Sequence, residues 1–186
     1  MLWIIVAVVV ALALALFTVY AFNRLRRVDI AAQEALGGID VQLTRRADLI
    51  PNLVNTVKGY AQHEKGVFEA VTAARAGVAA AAKDGSVQDK AAAEAKLDKA
   101  IIDVLAVAEA YPDLKASANF QSLQAELAET ENKISFARQF YNDAVATLNS
   151  LVRTIPWLLF TGIAGVQARE FYDAPDGQDA PPAVTF

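Results

Sequence analysis

Apolar and polar positions follow two regimes along the chain. Residues 2–22 hold no charged side chain, whereas from residue 23 onward apolar residues recur every three or four positions with polar ones between them. The first regime suits a bilayer: 21 residues in a helix span about 31 Å, the thickness of the hydrocarbon core. A cleaved signal peptide would carry a charged stretch ahead of a shorter apolar run, and only Met1 precedes this one. An uncleaved single-pass anchor is therefore expected. Arg24, Arg26 and Arg27 follow it directly, which by the positive-inside rule places the N-terminus outside and the rest in the cytoplasm.

The second regime reads as amphipathic helices. Gly37-Gly38, Pro51, Lys83-Asp84-Gly85-Ser86, Pro112 and Pro156 are the breakers, and they delimit segments 23–48, 51–82, 87–110 and 114–155. Ser86 and Asp113 are the candidate N-caps of the last two. In the last segment Phe120, Leu123, Leu127, Thr130, Ile134, Ala137, Tyr141, Ala144, Leu148, Leu151 and Ile155 keep a 3,4 spacing, the seam of a long helix packed on helices. Leu97, Ile101, Val104, Ala108 and Tyr111 repeat it in the third segment. The first two segments allow two readings, because the seam from Leu36 to Val78, with Arg46, Tyr60 and Glu64 on it, keeps one phase through Pro51. One reading is a single kinked helix. The other, which buries more of the seam, is a tight turn at Asp48 to Pro51 with Pro51 in the first turn of the next helix. The expected fold class is thus all-α: an N-terminal transmembrane helix, then an antiparallel four-helix bundle with long coiled-coil-like helices. The expected divisions are an anchor at 1–22, a helical bundle at 23–172 and a flexible acidic Pro/Ala-containing tail at 173–186.

Composition narrows the chemistry. The 186 residues carry 17 Lys+Arg and 21 Asp+Glu, a net charge of -4, which argues against nucleic acid as a partner, since that needs basic side chains to displace phosphate counterions. With no cysteine there are no disulfides, no thiolate metal sites, no cysteine nucleophile and no lipoprotein anchor. His63 is the single histidine. His63-Glu64 begins like a zincin motif, but Val67 stands where the second imidazole belongs, and Tyr60 stands where a di-iron bundle needs glutamate. Gly162 to Gly165 lacks a phosphate-loop lysine, and no Gly-x-Ser-x-Gly elbow occurs. No catalytic template is met, so no catalytic, cofactor or metal residue is expected and the protein is read as a non-enzyme.

Polar residues on or beside the seams remain: Arg46, Glu64, Thr130, Glu131 and Arg138. Glu64, Glu131 and Arg138 form the expected buried polar layer, which either fixes helix register or holds a small ligand or ion.

Ile39 to Val54, IDVQLTRRADLIPNLV, continuing through Val57-Lys58-Gly59-Tyr60-Ala61 to His63-Glu64, resembles the signature of the LemA family. Tyr111-Pro112-Asp113-Leu114-Lys115-Ala116, Asn119-Phe120, Leu123-Gln124, Glu131-Asn132 and Ala137 to Asn142 resemble its second block. Two long blocks in order are specific, and the likeness covers nearly the whole chain. The chain departs from the pattern at Leu36-Gly37-Gly38, where a Trp-containing stretch is typical, at Ser117, where Asn is usual, and at Ile155, where Phe is common. The resemblance implies a bacterial, membrane-anchored protein, helical in its soluble part, with no established catalytic activity and a place in the cell envelope. Two functions are weighed: a scaffold or adaptor that binds membrane proteins or itself through helix faces, and a small-ligand or envelope-stress sensor using the polar layer. In the four-helix arrangement the two signatures meet at the end farthest from the bilayer, where Arg45, Asp48, Asn52 and Asp113 form a candidate binding tip or merely flank the apolar end of the core. At the opposite end Trp157 and Phe160 either meet the bilayer interface or plug the bundle.

Overall fold

The computed structural model describes residues 1–172, and the expected tail at 173–186 lies outside the described residues. Every regular element among them is helical: α1 (Leu2–Lys58), α2 (Lys65–Asp84), α3 (Val87–Glu109), α4 (Pro112–Lys115), α5 (Ala118–Arg153), a 3-10 turn (Trp157–Phe160) and α6 (Thr161–Ala164). The chain forms two compact units, Met1–Gly37 with Gln139–Phe171, and Gly38–Arg138 with Tyr172.

The expected turn at Asp48 to Pro51 is absent, because α1 runs through Pro51 to Lys58. A proline inside a helix has no N–H for the carbonyl four residues back. Here that carbonyl belongs to Ala47, and Nε of Arg75 on α2 donates to it at 3.1 Å. A side chain on the neighbouring helix thus replaces the missing backbone donor. The single kinked helix through residue 82 is not formed either: the chain turns at residues 59–64, leaving Tyr60 and Glu64 exposed although both keep the seam's phase. Glycine at 59 offers a break that periodicity does not register.

In the second unit α1 contributes Ile39, Leu43, Ile50, Leu53 and Val57 to the core, α2 Phe68, Val71 and Val78, α3 Leu97, Ile101 and Val104, and α5 Phe120, Leu127 and Ile134. Side-chain pairs give the register. Lys58 lies over the Phe68 ring at 5.5 Å and Arg75 reaches Ala47, so α2 runs back along α1. The turn into α3 is tight at Gly85, where a Cβ would meet the Ala81 carbonyl oxygen at 2.5 Å. Ser86 then caps α3 as expected, in a reciprocal capping box with Asp89. Asp113 caps nothing: it lies in the first turn of α4, whose N-cap is Tyr111, and α5 starts separately at Ala118.

The buried face of α5 shifts partway along. Phe120, Leu123, Leu127, Thr130 and Ile134 are buried, but the next buried positions are Arg138, Tyr141, Val145, Leu148 and Val152, while Ile155 is 78% exposed. One four-residue step replaces a three between Ile134 and Arg138, which follows the 3.6-residue turn of a straight helix more closely than a strict heptad does. Arg138 enters the core through that step, in the place expected for Ala137.

In the first unit Ala21, Leu25, Ala32 and Ala35 of α1 are buried, as are Tyr141, Val145, Leu148 and Val152 of α5. Residues 165–171 return along α5. Asn149 holds both backbone groups of Arg169 at 2.9 Å, the Tyr141 hydroxyl donates to the Glu170 carbonyl at 2.8 Å, and the Arg169 side chain pairs with Asp29 at 2.8 Å. The apolar stretch at the start of α1 is exposed and long enough to cross a membrane, consistent with an anchor.

Candidate functional site

Within the second unit the helices bring charged side chains inward at one level. Arg138 Nη2 lies 2.5 Å from Glu94 Oε1 and 3.5 Å from Glu131 Oε1. Arg46 Nη1 lies 2.6 Å from Glu131 Oε2 and 2.5 Å from Asp98 Oδ1. The Tyr172 hydroxyl donates to Glu94 Oε2 at 2.7 Å. The result is an alternating chain, Tyr172, Glu94, Arg138, Glu131, Arg46, Asp98, in which Glu131 bridges the two guanidinium groups. Glu94 is fully buried, and Arg46 and Arg138 are each 7% exposed. Lys90 pairs with Asp40 at 2.5 Å nearby, with Lys90 also buried.

Burying charges is costly unless each finds an opposite partner, and the alternation supplies partners with one carboxylate in excess. Three acids face two arginines. At the end of the alternating chain the Asp98 carboxyl is pushed up to about 6, chiefly by burial, against the pull of Arg46 and with Glu94 and Glu131 adding smaller rises. The Tyr172 phenol is raised as well, chiefly by burial and then by the Glu94 carboxylate.

Of the expected polar layer, Glu131 and Arg138 are in this network, joined by Arg46. Glu64 is not: it is exposed and precedes the first turn of α2. Thr130 is buried and donates to the Leu127 carbonyl at 2.8 Å. Sequence reasoning missed Lys90, Glu94, Asp98 and Tyr172. The signal was there for two of them, since Lys90 and Glu94 extend the Leu97, Ile101, Val104 seam backward at the same spacing.

Of the expected tip, Asp113 lies in the connection between α3 and α5, whereas the three α1 residues lie on the helix body and not in a turn. Arg45, Asp48 and Asn52 are exposed on the flank of α1, and Asp48 lies ten residues before the helix ends, about 15 Å along the axis. Arg45 lowers the Glu129 carboxyl, after Lys133, and Asp48 lies 3.8 Å from Arg75. Asn52 and Asn119 line one shallow pocket, and Asp113 is exposed on α4. Among the described residues no cluster of three or more His, Cys, Asp or Glu could hold a metal ion.

A groove of about 820 Å³ runs between α2 and α3. Ala70, Ala73, Ala74, Gly77, Ala92 and Ala93 line it, with Lys96, Lys99 and Asp103 also on its walls. Small side chains on both helices keep it open.

In the first unit Trp157 stacks on Phe17 with ring centroids 6.3 Å apart and leans on Tyr20 at 5.8 Å, while Phe160 meets Phe17 edge-on at 5.6 Å.

These features define an all-helical protein with an N-terminal apolar helix of membrane-spanning length and a buried charge network. The LemA family model matches residues 35–186, and the chain belongs to the LemA family. It is similar to magnetosome proteins MamQ 1 and MamQ 2 of Paramagnetospirillum magneticum, 25% identical to each over 165 residues that cover 76% of this chain and 61% of the relative. It is also similar to magnetosome protein MamQ of Magnetospirillum gryphiswaldense, 25% identical over 173 residues, covering 81% of this chain and 64% of the relative. The chain thus spans less than two thirds of the length of these relatives.

Proposed function

We propose that this protein is a membrane-anchored, non-enzymatic scaffold or adaptor of the bacterial cell envelope, binding other membrane proteins or a second copy of itself through helix faces. Residues 2–22 cross the inner membrane once. The N-terminus lies outside, and the helical part, an antiparallel bundle of α1, α2, α3 and α5 with long coiled-coil-like helices, lies in the cytoplasm. The exposed Arg24, Arg26 and Arg27 support that orientation. In this reading residues 1–22 are the anchor, 23–172 the LemA-like bundle and 173–186 the tail.

One observation carries the reading. The interior charges contact one another in an alternating network, whereas the α2/α3 surface offers an alanine-lined groove in which a partner helix could approach backbone to backbone. A photoreactive amino acid at Ala73 or Ala93 in the full chain, irradiated in its native membrane, should give discrete adducts with membrane proteins or with a second copy. Those adducts should vanish when Ala74, which lines the same groove, is changed to Arg, and should be absent when the probe sits at exposed Gln121. Equal labelling from Gln121 and from the groove would overturn the proposal.

A small-ligand or envelope-stress sensor is the second reading. It is favoured by a single observation, the Asp98 carboxyl pushed up to about 6 inside the network, where a change of charge would be felt by both arginines.

A further inference from the structure

Residues 154–168 form a run of 15 without a charged side chain, bounded by Arg153 and Arg169. A run of that composition in a water-soluble unit would be expected to turn its large side chains inward. This one does the opposite: Ile155 is 78% exposed, Leu158 47%, Leu159 70% and Ile163 67%. The 3-10 turn at Trp157–Phe160 and the short α6 after it present these side chains outward, so they do not serve as a plug for the helix ends.

The place of the run along α1 says what covers it. Trp157 and Phe160 rest on Phe17 and Tyr20, inside the apolar stretch of α1 and ahead of its first arginine. Tyr20 precedes Arg24 by four residues, about 6 Å along the helix axis. On the other side of those arginines the same segment is tied down by Arg169 to Asp29. A Trp, a Tyr and two Phe rings therefore cluster at one level, at the end of an apolar helix, with exposed Arg24, Arg26, Arg27 and Arg153 as basic neighbours. That is the order of groups found at a membrane boundary, with aromatic rings at headgroup level and basic side chains toward the water.

We propose that residues 155–163 form a second, interfacial membrane attachment, a wedge that inserts its Ile155, Leu158, Leu159 and Ile163 side chains into the headgroup and acyl boundary beside the anchor. The proposal rests on the reading of residues 2–22 as a transmembrane anchor. Its consequence is mechanical. With one crossing helix alone the chain could swivel about the anchor's axis, whereas a wedge beside it sets which side of the protein lies against the lipid.

The test uses the full chain carrying Trp3→Phe, so that Trp157 is the remaining indole, reconstituted into phosphatidylcholine and phosphatidylglycerol vesicles. Lipids brominated near the headgroup end of the acyl chain should reduce Trp157 emission at least about twofold, and more than lipids brominated near the chain terminus, as expected for interfacial depth. Added Leu159→Glu, at an exposed position that should leave helix content by circular dichroism unchanged, should weaken that quenching and raise quenching by aqueous iodide. Trp157 untouched by bromolipid and open to iodide, in protein that still resists carbonate extraction, would overturn the wedge and leave the anchor standing. Trp157 shielded from both quenchers would also overturn it, in favour of a protein cover such as a second copy. Release of the protein by carbonate would mean that the anchor reading itself fails, and the wedge with it.

Discussion

Arginine serves opposite ends in the two units. In Met1–Gly37 with Gln139–Phe171, Arg24, Arg26, Arg27 and Arg153 are exposed, and Ile155, Leu158, Leu159 and Ile163 are exposed with them. In Gly38–Arg138 with Tyr172, Arg46 and Arg138 are buried and each touches two carboxylates. The first unit thus shows apolar groups where water would be, and the second shows charges where hydrocarbon would be. Each inversion needs its own remedy. Buried ions can be satisfied by other side chains of the same fold, and the second unit does so through an alternating network. Exposed apolar surface has no such internal remedy and requires a different medium or a partner.

The sharpest way to break this comparison is to remove one arginine from each unit. Arg138→Ala strands the fully buried Glu94 carboxylate and should lower stability by about 3–5 kcal/mol, read as the urea midpoint of the full chain in detergent micelles. Arg153→Ala, at an exposed position, should change it by less than about 0.5 kcal/mol. Pairing Arg138→Met with Glu94→Gln, which removes both charges yet leaves Tyr172 an acceptor, should restore most of the loss. Equal small effects at Arg138 and Arg153 would mean that the network is hydrated and that the contrast between the units is one of surface only.

A smaller effect concerns Arg75, which reaches inward in a different way, from a half-exposed position to the Ala47 carbonyl that Pro51 leaves without a donor. Arg75→Ala should cost about 1–2 kcal/mol, the worth of a hydrogen bond from a charged donor to an otherwise unpaired carbonyl. In a Pro51→Ala background the restored backbone N–H can serve Ala47, so the same substitution should cost nearly nothing there. Additive losses would show that Arg75 acts through something other than this carbonyl.

That compensation explains where the sequence misleads. All-helical character, the apolar first helix, the Ser86 cap and most core positions follow from composition and 3,4 spacing, which are local properties. Pro51 suggests a turn because a proline's cost is local too, while its remedy comes from a residue 24 positions later. Glu64 and Tyr60 keep the seam's phase yet fall in the turn after α1, since periodicity does not say where a helix stops. Arg138 was legible as a polar residue next to a seam, and Glu131 likewise, but Tyr172 joins them from an irregular segment with no periodicity to mark it. Trp157 and Phe160 stood out by composition. Their partners Phe17 and Tyr20 were hidden in an apolar stretch whose residues all look alike.

The smallest expected effect tests whether the network of the second unit is only a clamp. Asp98 faces Arg46 directly, with Glu94, Glu131 and Arg138 near enough to act on it, and its carboxyl is pushed up to about 6 from an ordinary 3.8. A carboxyl that takes up a proton more readily folded than unfolded binds more protons in the native state between those two values. Its contribution to stability therefore falls as pH rises from about 4 to about 6 and stays lost above that. Asp98→Asn is neutral at every pH. It should match the parent protein near pH 4 and exceed it above pH 6 by on the order of 1 kcal/mol, a figure reduced for the carboxyl's partial exposure, which thermal midpoints taken at several pH values between 4 and 8 can resolve. Were the variant instead less stable at neutral pH, the Arg46 pair would outweigh the burial of Asp98. The charge would then be a fixed part of the clamp, and the one observation favouring a sensor would be gone.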